Sequence, residues 1–324
     1  MNMTETRLTP ELELDGLSPD EVFAVLGDET RLKIVRELWR AEALHEYDDL
    51  DDSTTTIPFT DLRHRVDVDD NGQFNYHLSR LTPHFVRQTE EGYHLSGAGK
   101  KIARMVIAVS GERSPDVSDQ VTTDCPVCGA PITATYEDQW LRFTCTECLG
   151  LFGDAAPEGT ILNSLFPPAG ATDRSPDELL TTGLYRCMLD LTYMMQGICR
   201  ECAGSVEGSI AVCDDHDVGP GEHCESCGTP FQAWGELRCA TCRFAKRLPV
   251  ELCIMGSAPV IGFLYDKRVD VLAPTLSEIV DVLHTRIETT VSSDPVRVTA
   301  TIRSDDEELT LTLDDELSVV DVPS

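Results

Sequence analysis

The sequence predicts an α+β fold with a helical N-terminal domain, central metal-binding segments, and a C-terminal helix followed by an antiparallel β-meander. Three observations support this prediction. Apolar residues recur at helical spacing through much of residues 17–110. Most of the 13 cysteines form Cys-x2-Cys pairs between residues 125 and 242. Apolar and polar residues alternate near the C-terminus, as they do in half-buried strands.

The composition indicates a folded protein with an unusual charge. Of 324 residues, 41% are hydrophobic, and 26 basic residues against 57 acidic ones give a formal net charge of −31. No apolar run reaches membrane-spanning length and the N-terminus lacks a signal pattern, so we expect a cytoplasmic protein with no membrane partner. Scattered carboxylates with only five lysines resemble proteins of halophilic archaea, which work where molar salt shortens the Debye length to about 3 Å. We interpret the charge as surface solvation.

The N-terminal domain, residues 17–110, is predicted to follow a flexible acidic tail at residues 1–16. Residues 18–21, Ser-Pro-Asp-Glu, combine an N-cap, a proline at the first helical position and a capping-box glutamate. The predicted order is a helix from Ser18, helices at 28–40, 59–66 and 71–81, a hairpin at 85–96, and a helix at 97–110. An acidic solvated loop is expected between residues 42 and 52. This is the element order of a winged helix-turn-helix domain.

The helix at 71–81, NGQFNYHLSRL, has the pattern of a DNA-reading helix. The side chains expected to point towards the core are Phe74, Leu81 and either His77 or Leu78. The outward ones can hydrogen-bond bases or phosphates, and residues 71–110 carry five basic residues against two acidic ones. We expect the DNA-contacting residues to be Gln73, Asn75, Tyr76, Ser79 and Arg80 of the helix, and Arg87, Lys100 and Lys101 at the wing.

Two stretches carry a family resemblance. LGDETRLKIVREL (26–38) and NYHLSRLTPHFVRQTEEGYHLS (75–96) resemble the ArsR-type winged helix. With the downstream cysteines, the chain resembles haloarchaeal ArsR-like transcriptional regulators that have a metal-binding C-terminal region. The resemblance implies binding to double-stranded DNA and a homodimer formed by the first and last helices, with Val22, Leu26, Ile102 and Val106 at the seam. No cysteine precedes Cys125, so the family's metal sensing is not carried over.

The cysteine pairs predict up to three structural zinc ions. The first set has sixteen residues between its two pairs: Cys125, Cys128, Cys145 and Cys148. The simplest arrangement joins neighbouring pairs into two further sets: Cys199, Cys202, Cys213 and His216, and Cys224, Cys227, Cys239 and Cys242. The alternatives are a cross-brace that joins the first pair with the third and the second with the fourth, His223 in place of His216, and a disulfide framework. Cys187 and Cys253 lie in apolar surroundings and are expected to be buried.

The remaining boundaries follow from composition and pattern. We expect a linker at 111–124, a zinc ribbon at 125–148, a helical segment at 149–198, a double zinc ribbon at 199–242 and an α+β module at 243–324. A Thr-x-x-Glu capping box starts a helix at 275–287, and three alternating runs follow as a meander. This C-terminal module could bind a ligand, a protein partner or a second copy of itself, or only pack on the ribbons.

These features favour a sequence-specific DNA-binding transcriptional regulator. The alternatives are a zinc-ribbon adaptor that docks the transcription or RNA machinery, since winged helices also bind proteins, and a zinc-dependent enzyme. We expect no enzyme, because Walker, dinucleotide and nucleophile-elbow motifs are absent from the sequence and complete thiolate sets leave no open zinc position.

Overall fold

The computed structural model describes residues 18–43, 55–82, 84–110, 118–219, 222–304 and 307–322. The expected acidic tail, most of the acidic loop and the first half of the linker lie outside these residues. The chain divides into two compact units, residues 1–112 (unit 1) and residues 113–324 (unit 2).

Unit 1 contains five helices and one hairpin among its described residues, in the predicted order. These elements are α1 (Pro19–Leu26), α2 (Glu29–Ala43), α3 (Phe59–Val66), α4 (Asn71–Leu81), β1 (Val86–Gln88), β2 (Tyr93–Leu95) and α5 (Gly97–Val109). The expected capping box starts α1, where the backbone N–H of Ser18 donates to the Glu21 carboxylate at 2.9 Å. The Asp70 carboxylate caps α4 by accepting a hydrogen bond from the backbone N–H of Gln73 at 2.6 Å.

The core of unit 1 holds α4 and the hairpin in place. The ring of Phe74 on α4 is fully buried and lies 5.0 Å, edge-on, from the ring of Phe59 on α3. The Ile57 backbone pairs with Tyr93 of β2. Gly92, in the turn between β1 and β2, has a φ of +151°. A Cβ at this position would lie 2.4 Å from the Ile57 carbonyl oxygen, so the turn requires glycine.

Unit 2 contains three antiparallel sheets and several helices. The first sheet has the order β3 (Ser118–Gln120), β4 (Ile132–Glu137), β5 (Trp140–Cys145), β6 (Thr160–Leu165). The second is β7 (Val206–Val212), β8 (Ala233–Cys239), β9 (Ala245–Pro249). The third is β10 (Ile287–Ser293), β11 (Val296–Ser304), β12 (Glu307–Leu313), β13 (Val319–Asp321). The helices are α6 (Pro168–Ala171), α7 (Pro176–Met195), α8 (Val250–Met255), α9 (Ala258–Asp266) and α10 (Leu276–Asp281).

The long helix α7 organises the core of unit 2. A second capping box, formed by Ser175 and Glu178, starts it. Its buried side chains include Leu179, Leu184 and Leu191. The helix passes close to the first sheet, because a Cβ at Gly183 would lie 2.7 Å from a methyl group of Leu162 on β6.

Two expectations for unit 2 are wrong. The segment 149–198 is not wholly helical, because it contributes β6 to the first sheet. The C-terminal meander has four strands and not three. The helix that starts at Thr275 ends as a π-helical turn, Val282–Arg286, and the chain then enters β10, where Ile287 pairs with Ile302 of β11. The β-branched residues of β10 explain why this stretch is a strand.

Among the helices in the described part of the chain, none combines the length and apolar character needed to cross a membrane.

Candidate functional site

The first candidate metal centre is formed by Cys125, Cys128, Cys145 and Cys148, as the spacing predicted. Ile132 of β4 lies opposite Cys145 of β5, so the turn before β4 meets the end of β5. The Cys125 and Cys148 Sγ atoms are 3.7 Å apart, and those of Cys128 and Cys145 are 3.5 Å apart. Four thiolates around a tetrahedral zinc ion, with Zn–S bonds of about 2.3 Å, are about 3.8 Å from one another. This donor set therefore fits a tetrahedral ion.

The other eight donors form two sets, and neither pairing expected from the sequence is correct. The outer set is Cys199, Cys202, Cys239 and Cys242, and the inner set is Cys213, His216, Cys224 and Cys227. In the outer set, the Cys202 and Cys239 Sγ atoms are 3.6 Å apart. In the inner set, His216 Nδ1 lies 3.5 Å from Cys227 Sγ. The first donor pair therefore joins the fourth, and the second joins the third.

This nested arrangement follows from the antiparallel pairing of β7 with β8. Val206 at the start of β7 lies opposite Cys239 at the end of β8, and Val212 at the end of β7 lies opposite Ala233 at the start of β8. The donor pairs before β7 and after β8 consequently meet at one end of the hairpin. The pairs after β7 and before β8 meet at the other end.

Four of the cysteine pairs share one local geometry. The carbonyl of the first cysteine accepts a hydrogen bond from the residue four positions later, at Cys125, Cys199, Cys224 and Cys239. In each pair that later residue has a left-handed backbone: Gly129 (φ 78°), Ala203 (φ 60°), Gly228 (φ 69°) and Arg243 (φ 63°). The repeated tight turn brings both sulfurs of a pair to the same side of the loop, as a metal-binding knuckle requires.

Backbone N–H groups favour the thiolate form at several of these sulfurs. The amide of Cys242 lies 3.4 Å from Cys239 Sγ, and it lowers the pKa of the Cys239 thiol to about 6. Burial opposes ionisation of Cys145, but two amides of the following turn outweigh it and lower its pKa to about 7. Outside the donor sets, Cys253 is buried as expected, whereas Cys187 is only half-buried, and burial raises the pKa of both thiols. The thiolate is the form that binds metal ions.

The donor chemistry of all three sets is compatible with zinc, and each set has four donors. His223 is not a member of any set. Its ring packs beside Gly153, where an added Cβ would lie 2.7 Å from His223 Cδ2. His216, which the spacing favoured, occupies the donor position.

The exposed face of α4 is the second candidate site. Phe74, His77, Leu78 and Leu81 are buried, so both candidates for the middle inward position point to the core. The five outward side chains are exposed as expected: Gln73, Asn75, Tyr76, Ser79 and Arg80. The Arg80 guanidinium lies 5.5 Å from the centre of the Tyr76 ring. The Ser79 hydroxyl donates to the Tyr76 carbonyl at 2.9 Å.

The three basic residues expected at the wing have different environments. Arg87 on β1 and Lys101 on α5 are exposed. Lys100 is half-buried, and its Nζ lies 3.1 Å from Glu42 Oε2. The same Glu42 carboxylate accepts from the Leu95 amide at 3.0 Å. Glu42 therefore ties α2 both to the hairpin and to Lys100 on α5, and the charge of Lys100 is partly neutralised.

The four residues expected at the dimer seam also differ in their exposure. Val22, Leu26 and Ile102 pack against the core of unit 1, as they would in an ordinary monomer core. Val106 is 37% exposed. The larger exposed apolar side chains on α1 and α5 are Phe23, Met105, Ile107 and Val109.

The sequence reading missed two basic residues near α4. Arg31 and His84 line a cleft of about 430 Å³ together with Tyr76, Ser79 and Arg80. Helical periodicity could not reveal this proximity, because Arg31 and His84 come from other elements. Arg65 near the end of α3 is also exposed. The available signal was the basic run Arg-His-Arg at residues 63–65, of which Arg65 is the last member.

Comparisons with known proteins give two family matches. Residues 19–106 match the model described as Domain of unknown function (DUF7347). Residues 122–319 match the model described as Domain of unknown function (DUF7351). No curated protein and no solved structure matches the chain. Because the second model spans more than half of the 324 residues, the chain belongs to the DUF7351 family.

Proposed function

We propose that the chain is a sequence-specific DNA-binding transcriptional regulator in which unit 1 is a winged helix-turn-helix domain. The observation that carries the proposal is the division of α4 into a buried apolar face and an exposed polar one. In a helix-turn-helix, the second helix of the motif presents such a polar face to the major groove. The α3–α4 pair followed by the β1–β2 hairpin supports this assignment.

The side chains on the exposed face have the chemistry for reading bases. Gln73 and Asn75 carry amides that can pair bidentately with adenine. Arg80 can pair with guanine or with a phosphate. Its position over the Tyr76 ring restricts the guanidinium and so reduces the entropy lost on binding.

The acidity of the chain is compatible with DNA binding if the protein works in molar salt. Affinity that comes from counterion release falls as salt rises, so a strongly basic surface gains little there. Binding then rests on base contacts and DNA shape, with phosphate contacts from a few cations. Arg80, Arg87 and Lys101 are among the exposed cations of unit 1 and would make these phosphate contacts.

We assign zinc to the three donor sets in a structural role. Complete sets of thiolate and imidazole donors are typical of structural zinc, whereas catalytic zinc keeps a position for water. The metal would supply folding free energy to loops with few core residues. The three metal centres would thus have no catalytic role.

A homodimer would bury the apolar side chains that α1 and α5 expose. Phe23 is 74% exposed and Met105 is 53% exposed. Large apolar side chains left this exposed are candidates for an interface. A twofold dimer would present two α4 helices to two half-sites on one face of the DNA.

Selection from random-sequence DNA duplexes tests the proposal. The purified full chain in molar KCl should enrich one motif, and the Gln73→Ala/Arg80→Ala variant should not. Arg303→Ala, on the exposed surface of β11, is the matched control and should enrich the same motif. Enrichment of no motif by the wild type would contradict the proposal. Retention of a protein partner by the double variant would then favour the adaptor function, which the exposed apolar residues of α5 also support.

A further inference from the structure

Unit 2 contains a partly open cavity of about 660 Å³, and none of the metal-donor residues lines it. Its walls come from β5, β6, α7, β8 and β9, with contributions from α10. The apolar part includes Trp140, Leu165, Leu184, Trp234 and Leu248. Cavities of this size, lined mainly by apolar side chains with a few polar groups, are typical of small-molecule sites.

One region of the cavity wall is charged. Asp190 is only 3% exposed, and its carboxylate lies 2.7 Å from Arg200 Nη1 and 3.4 Å from Lys246 Nζ. Arg200 also lies 2.9 Å from Glu201 Oε1. On β9, Arg247 lies 3.2 Å from Glu236. The carboxylates of this region are therefore already paired with cations.

Arg186 on α7, unlike the other cations of this region, has no ion pair among the described residues. Its guanidinium lies 5.6 Å from the centre of the Phe166 ring. Its Nε is buried and, within the described part of the chain, has no hydrogen-bond partner and no carboxylate at ion-pair distance. Burial lowers the pKa of Arg186 and the charge of Arg200 adds to this effect, whereas the charges of Asp190 and Glu201 oppose it without outweighing it. Arg186 is half-buried, so its guanidinium loses part of its hydration without gaining a direct ion pair, and an anion beside it would offset that cost.

We infer that this cavity binds a small organic carboxylate with an acyl or aryl body, whose carboxylate pairs with Arg186 and whose apolar part lies between Trp140 and Trp234. One unpartnered guanidinium matches a monoanion, and its planar fork suits a carboxylate. The apolar walls account for the rest of the ligand. The inference concerns unit 2 alone and does not depend on DNA binding.

Tryptophan fluorescence of the full chain provides the test. Two of the three tryptophans line the cavity, so the Trp39→Phe variant reports on them alone. It should be titrated with phenylbutyrate and octanoate, and with the matched alcohols and amines. The carboxylates should give saturable changes with affinities at least about tenfold tighter than the alcohols or amines, a factor that corresponds to about 1.4 kcal/mol.

Two substitutions localise the binding. Arg186→Gln should reduce the affinity for the carboxylates to that for the alcohols, whereas Arg303→Gln, on the third sheet, should change nothing. Ala156→Leu should weaken the binding of every ligand, because Ala156 lines the cavity and the larger side chain would fill part of it. Absence of saturable binding by either carboxylate would overturn the inference, and so would equal affinity for carboxylate and alcohol. Both results come from the Trp39→Phe variant, so they decide the matter even if Arg186→Gln fails to fold.

Discussion

The Sγ atoms of Cys199 and Cys242 lie 3.5 Å apart although the two residues are 43 positions apart in the chain. The outer donor set thus closes a loop that contains the whole inner set. Closing a long loop restricts the unfolded chain more than closing a short one, although the effect grows only slowly with length. A metal ion at this position would therefore fix the ends of β7 and β8 together.

The nested pairing predicts which cysteines share a metal ion. In the cadmium-substituted chain, Cys199→Ser and Cys239→Ser should each shift or remove the same cadmium NMR resonance, because both residues belong to the outer set. Cys213→Ser should affect a different resonance. Cys253→Ser, outside the sets, is the control and should leave all resonances in place. A common resonance for Cys199→Ser and Cys213→Ser would contradict the pairing.

Glu251 on α8 predicts a pH-dependent loss of stability. Burial raises the pKa of its carboxyl, which accepts a hydrogen bond from Thr289 Oγ1 at 2.7 Å. Because the folded-state pKa is raised, the stabilising contribution is complete below the unfolded pKa of 4.5 and is lost as pH rises through the folded pKa. Glu251→Gln keeps an acceptor for Thr289 and cannot ionise.

The Glu251→Gln variant should therefore be more stable than the wild type at neutral pH, by on the order of 1 kcal/mol, the scale of one buried polar group. The difference should shrink as pH falls towards 4.5. Urea unfolding across this range measures it. Glu158→Gln, at an exposed position, should show no pH-dependent difference. A Glu251→Gln variant less stable than the wild type at neutral pH would contradict the account.

The dimer proposal predicts that a charge on α5 separates the subunits. Ile107 is 48% exposed, and Ile107→Asp should halve the mass measured by light scattering, because burying an unpaired carboxylate in an interface is unfavourable. Tyr265→Asp introduces the same charge at an exposed aromatic residue of unit 2 and should leave the mass unchanged. A monomeric wild type would refute the dimer.

Few phosphate contacts predict a shallow salt dependence of DNA affinity. With about three cations per subunit, the slope of log affinity against log salt should be about −5 for a dimer, roughly half that of a strongly basic repressor. Lys101→Gln should reduce its magnitude by about 1 per subunit. Lys267→Gln, whose ammonium lies 2.9 Å from Glu307, should not change it. A steep collapse of binding as KCl approaches molar levels would argue against base contacts as the main source of affinity.

Local patterns predicted the parts of the structure that depend on local interactions. Helical periodicity identified the buried residues of α4, because one face of a helix repeats every three or four positions. The capping boxes at Ser18 and Thr275 mark helix starts, because each is formed by four consecutive residues. The Cys-x2-Cys spacing identified the metal-binding knuckles, which are formed by a few consecutive residues.

Features that depend on strand pairing were missed. Cysteine spacing does not state which pairs meet, and only the β7–β8 register brings Cys202 to Cys239. Sequence patterns do not predict the strand β10, because its pairing with β11 joins residues that lie outside any short window. The cavity beside Arg186 combines residues from several distant segments and has no sequence signature.

The central claim is that the exposed face of α4 reads DNA sequence. Chromatin immunoprecipitation with sequencing in a high-salt host tests it most directly, with the wild type compared with the Gln73→Ala/Arg80→Ala and Arg303→Ala variants. We expect discrete genomic peaks for the wild type and for Arg303→Ala, and their loss in the double variant. Absence of peaks, or peaks that persist in the double variant, would contradict it.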